Sequence, residues 1–84
     1  MNEQSVPQNY DELLDASGLN CPMPLLKTKQ SLKNMSAGQV LKVIATDAGS
    51  WRGIQVFVNN SAHDLLLAEE VEAQYCYWIK KGNS

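Results

Sequence analysis

Cys21 lies in the run Gly18-Leu19-Asn20-Cys21-Pro22-Met23-Pro24, directly ahead of an amphipathic helical pattern. Proline is tolerated in a first helical turn, where its missing N–H would lack an intrahelical partner anyway, so the run predicts Cys21 as N-cap and Pro22 as the first helical residue. The sulfur then faces the positive end of the helix dipole, which favours an anion, and the thiolate is the form of cysteine that attacks sulfur electrophiles. Cys21 is the candidate nucleophile. The backbone N–H of Met23 is the candidate donor to its sulfur; Pro22 and Pro24 have no N–H to give, and they stiffen the loop.

Other chemically capable residues read differently. Cys76, set among aromatic residues in a strand pattern, reads as a packing or surface residue rather than a resolving thiol. His63 precedes a strand and reads as a turn residue, and a single histidine makes no metal site. Trp51 and Arg52 stand at the entrance of a second helix, on the edge expected to hold Cys21, where they offer a cationic, aromatic rim to a partner. Lys27, Lys29 and Lys33 form a solvated face of the first helix, one that also suits an acidic partner surface, and Lys27 joins Trp51 and Arg52 as a partner-binding candidate.

The elements that must position these groups follow from periodicity. Leu13 to Ala16 is a short strand candidate, ended by Ser17-Gly18. Leu25, Thr28, Leu32 and Met35 fall on one helical face, and Ser36-Ala37-Gly38 stops that helix. Val40 to Ala45 reads as a β-branched strand. Asp47-Ala48-Gly49-Ser50 is the next turn, followed by a shorter helix carrying Ile54, Phe57 and Val58 on one face. Two strands, Asp64 to Glu70 and Ala73 to Lys81, join through a tight connection around Val71-Glu72. In the last strand Tyr75, Tyr77 and Ile79 alternate with Cys76, Trp78 and Lys80, predicting one sheet face under helices and one face more open. The expected fold is α+β, a two-layer sandwich of βαβαββ order. Right-handed crossovers put both helices on one face, with their N-termini at one edge.

Eighty-four residues support one domain with one modest core. The expected organisation is a polar N-terminal tail over residues 1–10 and a single domain over 11–82. Nine acidic against seven basic residues give a net charge of −2, which disfavours a sequence-independent grip on nucleic acid. The N-terminal residues lack the basic and apolar regions of a signal peptide, and no apolar run is long enough to span a bilayer. A location in the cytoplasm, with no membrane association and two free thiols, is the expectation. No cofactor or metal is called for.

The stretch Leu14-Asp15-Ala16-Ser17-Gly18-Leu19-Asn20-Cys21-Pro22-Met23-Pro24 resembles the signature of the TusA family, also called SirA-like sulfur carriers. The resemblance continues through Gly38, the strand ending at Asp47, Ser50, Ile54, Phe57, His63 and Leu65 to Trp78-Ile79-Lys80-Lys81-Gly82. It implies a fold similar to the C-terminal domain of translation initiation factor three, a mixed four-stranded sheet with two helices on one face. It further implies a carrier-type sulfurtransferase that holds sulfane sulfur as a persulfide on Cys21. The donor would be a cysteine desulfurase or rhodanese-like protein, and the acceptor a partner in tRNA thiolation, molybdenum-cofactor supply or sulfur oxidation. Two positions depart from the family pattern: Ala48 where many relatives have proline, and Gly53 where they have aspartate. Ser50-x-x-Gly53 thus lacks the acidic partner of a capping box, which predicts a loosely started second helix. The alternative function is a non-catalytic interaction or regulatory module on the same fold. A thiol redox protein is the weakest reading, because there is no Cys-x-x-Cys.

Overall fold

The computed structural model describes residues 9–83. Its elements are β1 (Glu12–Ala16), α1 (Met23–Lys33), β2 (Val40–Ala45), α2 (Gly49–Asn59), β3 (Asp64–Val71) and β4 (Gln74–Lys80). The strands form one mixed sheet in the order β1-β2-β4-β3. β1 runs parallel to β2, and β4 runs antiparallel to both β2 and β3. Both helices lie on one face, as right-handed crossovers predict.

The core explains the layering. Leu32 from α1 and Ile54 and Val58 from α2 meet Leu41, Val43, Ala45, Tyr75, Tyr77 and Ile79 of the sheet in one buried cluster. Alternation in β2 and β4 supplies every second side chain to this face. The buried face of α1 is rotated from the expected one: Pro24, Thr28 and Leu32 are buried, and Leu25 is only half-buried. The Thr28 hydroxyl, which would otherwise be an unpaired polar group in the core, donates to the Pro24 carbonyl at 2.8 Å. Met35 packs into the core from beyond the end of α1.

The outer sheet face is less open than its pattern suggests. Trp78 points away from the helices yet is 4% exposed, with the Lys42 ammonium 5.0 Å from its ring centroid and the same ammonium 5.6 Å from that of Tyr10. Tyr10 was expected within the N-terminal tail; residues 1–8 of that tail lie outside the described residues. The chain is fixed from Asp11 onward. The Asp11 N–H donates to the Val40 carbonyl, and the Asp11 carboxylate accepts the Val40 N–H, both at 2.8 Å.

The β3–β4 hairpin turns at Glu72 and Ala73, with φ of 51° and 67°. Two successive left-handed residues match the twist of a two-residue hairpin, although neither is glycine.

Candidate functional site

Cys21 sits on the loop from β1 to α1, and the loop's shape comes from its own turns. Gly18 takes a φ of 82°, a conformation that costs glycine little. The Ser17 N–H donates to the Asp15 carboxylate at 3.0 Å, and hydrogen bonding from the Ser17 side chain, then from this N–H, holds the carboxyl below its ordinary value. The Met23 N–H donates to the Asn20 carbonyl at 2.8 Å, closing a turn over Cys21 and Pro22, whose peptide bond is cis.

That turn corrects the expected start of α1. The helix begins at Met23 with Pro22 as its N-cap, so Cys21 lies one residue outside the cap. The Met23 N–H is spent on Asn20, and the Leu26 N–H on the Pro22 carbonyl at 3.1 Å. Pro24 has no N–H. The first turn of α1 is therefore short of donors for an anion at Cys21, and the expected Met23 contact is not made.

What fixes Cys21 comes instead from the loop after β2. Ala16 and Ala45 are register partners at the ends of parallel β1 and β2, so the two following loops leave the sheet side by side. The Gly18 N–H donates to the Thr46 hydroxyl at 2.9 Å, and the Cys21 N–H donates to Asp47 Oδ2 at 2.8 Å. The same Asp47 oxygen accepts the Ser50 hydroxyl at 3.2 Å. One carboxylate thus ties the cysteine loop to the first turn of α2. Thr46 and Asp47 were read from the sequence only as strand end and turn. Their signal was a side-chain acceptor in a βα loop, the usual position for a helix-start cap.

Asp47 also revises the expected second helix. α2 starts at Gly49 with Ala48 as its N-cap, and Ser50 is a buried residue inside the first turn rather than the cap of a box. Gly53 has no left-handed φ, and a Cβ there would meet nothing within 4 Å. Gly49, by contrast, is crowded: a Cβ on it would stand 3.2 Å from the Asp47 carboxylate and 3.6 Å from Cys21 Cβ. The cysteine side chain accordingly lies against the first residue of α2, with the starts of both helices at one edge of the sheet.

Cys21 is exposed and unbridged. Met23 and Leu26, 39% and 44% exposed, give the same end of α1 an apolar surface. Of the expected rim, Arg52 is exposed and Lys27 half-buried. Trp51 is also half-buried, and its ring centroid lies 5.5 Å from that of Tyr75 and 5.7 Å from that of Tyr77, so much of it serves packing. Cys76 is half-buried, and burial is the main cause that pushes its thiol above the ordinary value, with Lys42 pulling the other way. His63 lies beyond the far end of α2, away from Cys21. No group of acidic, cysteine or histidine residues suited to a metal occurs among the described residues. No helix among them is long and apolar enough to cross a membrane.

Known proteins resemble this chain in sequence and in fold. The family described as Sulfurtransferase TusA matches residues 12–81. The sulfur carrier protein TusA of Allochromatium vinosum is 45% identical over 74 residues, covering 88% of this chain and 97% of that protein. Its counterpart in Pseudomonas putida is 46% identical over 71 residues, covering 84% of this chain and 89% of its own. A crystal structure of a SirA-like protein from Desulfitobacterium hafniense superposes with a TM-score of 0.74 at 23% identity, over 87% of this chain and all of that one, and shows the shared fold.

Proposed function

The chain belongs to the TusA sulfurtransferase family, and from that premise we propose that it relays sulfane sulfur as a persulfide on Cys21. The observation that carries this reading is an exposed thiol on a backbone fixed from two sides, by the Asn20–Met23 turn and by Asp47. A carrier needs its sulfur reachable by two successive partners and held in one place for both.

The chemistry is thiolate exchange. The Cys21 thiolate attacks the terminal sulfur of a donor persulfide; one S–S bond forms, one breaks, and the donor cysteine leaves as thiolate. The acceptor's nucleophile then attacks the terminal sulfur on Cys21, whose own thiolate is the leaving group. Each step exchanges one sulfur–sulfur bond for a new bond to sulfur, and no outside oxidant enters the loading step. No internal general base is needed. Met23 and Leu26 give partners an apolar contact beside the thiol, and Arg52 and Lys27 add positive charge to the rim. The donor is a cysteine desulfurase or rhodanese-like protein. The acceptor serves tRNA thiolation, molybdenum-cofactor supply or sulfur oxidation, and the relay operates in the cytoplasm.

Intact mass after incubation with a persulfide donor tests the reading. The expected result is a gain of one sulfur atom that reductant removes and that Cys21→Ser lacks. Loading of Cys21→Ser at Cys76 with retained transfer would overturn the assignment.

A further inference from the structure

The face of the sheet away from the helices carries one residue that its position alone does not explain. Register pairing puts Leu13 of β1, Lys42 of β2, Trp78 of β4 and Leu67 of β3 in a single row across all four strands. Alternation points this row outward, since the neighbouring Leu41, Val43, Tyr77 and Ile79 fill the core. The outward face of a two-layer sandwich meets solvent. Leu13 accordingly is exposed, and Lys42 and Leu67 are half-buried, yet Trp78 is almost wholly buried. Its indole Nε1 is buried as well and has no hydrogen-bond partner among the described residues. A donor shut away from water calls for an acceptor, and buried tryptophan N–H groups usually have one.

The chain itself arrives at this row. Tyr10 stands beside it, its ring centroid 5.6 Å from the same Lys42 ammonium that lies 5.0 Å from the Trp78 ring. Directly after Tyr10, the two bonds between Asp11 and Val40, both 2.8 Å, fasten the backbone to the start of β2. The residues ahead of Tyr10 therefore set out from the outer face, on its β1–β2 side.

We propose that the outer sheet face is a docking surface for the chain's own N-terminal segment, residues 1–8, which crosses the row of Leu13, Lys42, Trp78 and Leu67 and gives the Trp78 N–H its acceptor. Length permits the crossing: eight extended residues reach about 26 Å, whereas the outermost strands of a four-stranded sheet stand about 14 Å apart. Composition suits it. Asn2, Gln4, Ser5 and Gln8 carry side-chain acceptors in addition to the backbone carbonyls, and Met1 and Val6 offer apolar contact to Leu13 and Leu67. Glu3, the segment's one charged side chain, meets Lys42 and Lys80 on the side where the chain enters, whereas Asp15 and Glu69 lie a row further on, flanking Ile44 and Cys76. A second copy of the chain fits less well, because a flat partner sheet would have to lift Tyr10 from Lys42 against its anchorage at Asp11. The surface is separate from Cys21 and independent of the sulfur-transfer reading.

The test compares the intact chain with a variant lacking residues 2–8, by NMR of the backbone amides and of the Trp78 indole N–H. In the intact chain, nuclear Overhauser contacts are expected from residues 1–8 to the Trp78 indole. The deletion should speed hydrogen exchange at that indole N–H by about tenfold or more and shift the amides of Leu13, Lys42, Leu67 and Trp78, with those of Cys21 and Asp47 unmoved. Absence of the contacts in the intact chain would overturn the proposal whether or not the shortened chain folds. Indole exchange that agrees within about twofold between the two proteins would do the same. A Trp78 indole resonance that moves with protein concentration, while light scattering shows a doubled mass, would also overturn it and assign the face to a second copy.

Discussion

The Asp47 carboxylate accepts the backbone N–H of Cys21 at 2.8 Å through the oxygen that also receives the Ser50 hydroxyl. The residue bearing the thiol is therefore positioned from the loop that opens the second helix as well as by the turn that enters the first.

Asp47→Ala should separate these two loops. A hydrogen bond to a charged acceptor contributes roughly 1.5 to 3 kcal/mol, and the exposed position places this one toward the lower end. The denaturant midpoint should fall accordingly, amide exchange at Cys21 should speed up, and sulfur loading should slow while the far end of the sandwich keeps its protection. Unchanged exchange at Cys21 would mean that the turn at Asn20–Met23 suffices alone.

Gly53→Ala should stabilise the protein by about 0.5 to 1 kcal/mol, since glycine inside a helix loses more backbone entropy than alanine. The site is helical, and a Cβ there meets nothing within 4 Å. Paired urea melts of wild type and variant measure it; a lower midpoint for the variant would contradict the helical placement.

Ala73→Gly should also stabilise, by roughly 1 kcal/mol, for the opposite reason. Ala73 is held at φ 67°, where an L side chain is strained and glycine is not. Glycine's added freedom in the unfolded chain offsets part of the gain. Thermal unfolding of the two proteins decides the sign.

His63 gives the stability a pH dependence. Its folded-state proton affinity is lowered, mainly by desolvation, so between the folded value and the ordinary 6.5 the unfolded chain binds more protons. Stability is then fully present above about 6.5 and declines as pH falls through that value toward the folded one. Protonation also takes the Nδ1 lone pair from the Gly82 N–H. Urea midpoints measured across this range should show a slope for wild type that is reduced in His63→Gln; equal slopes would remove His63 as the cause.

Periodicity made the framework legible. Alternation in Tyr75, Tyr77 and Ile79, the spacing of Ile54 and Val58, and glycine at the loop after β1 were enough for element order and layering, because each signal is local to one element. The cysteine's surroundings were not local. A bond between Cys21 and Asp47 leaves no periodic trace in either segment, and the N-cap moved by one residue because the turn captured the Met23 N–H. Trp78 misled for a related reason: alternation assigns it to the outer face correctly, but its burial there, with the Lys42 ammonium over its ring, is a tertiary fact. Lys29, Lys33, Phe57 and His63 line one cavity although they come from both helices and the loop after α2, so the sequence shows Lys29 and Lys33 only as helix surface and His63 only as a turn.

The hold of Thr46 and Asp47 on the cysteine loop sets a rule for transplantation. A designer who grafted Gly18 through Pro24 alone onto another βα junction would carry over the nucleophile without its anchor. The portable unit is two adjacent parallel strands with both of their outgoing loops, the second bringing a hydroxyl for the Gly18 N–H and a carboxylate for that of Cys21.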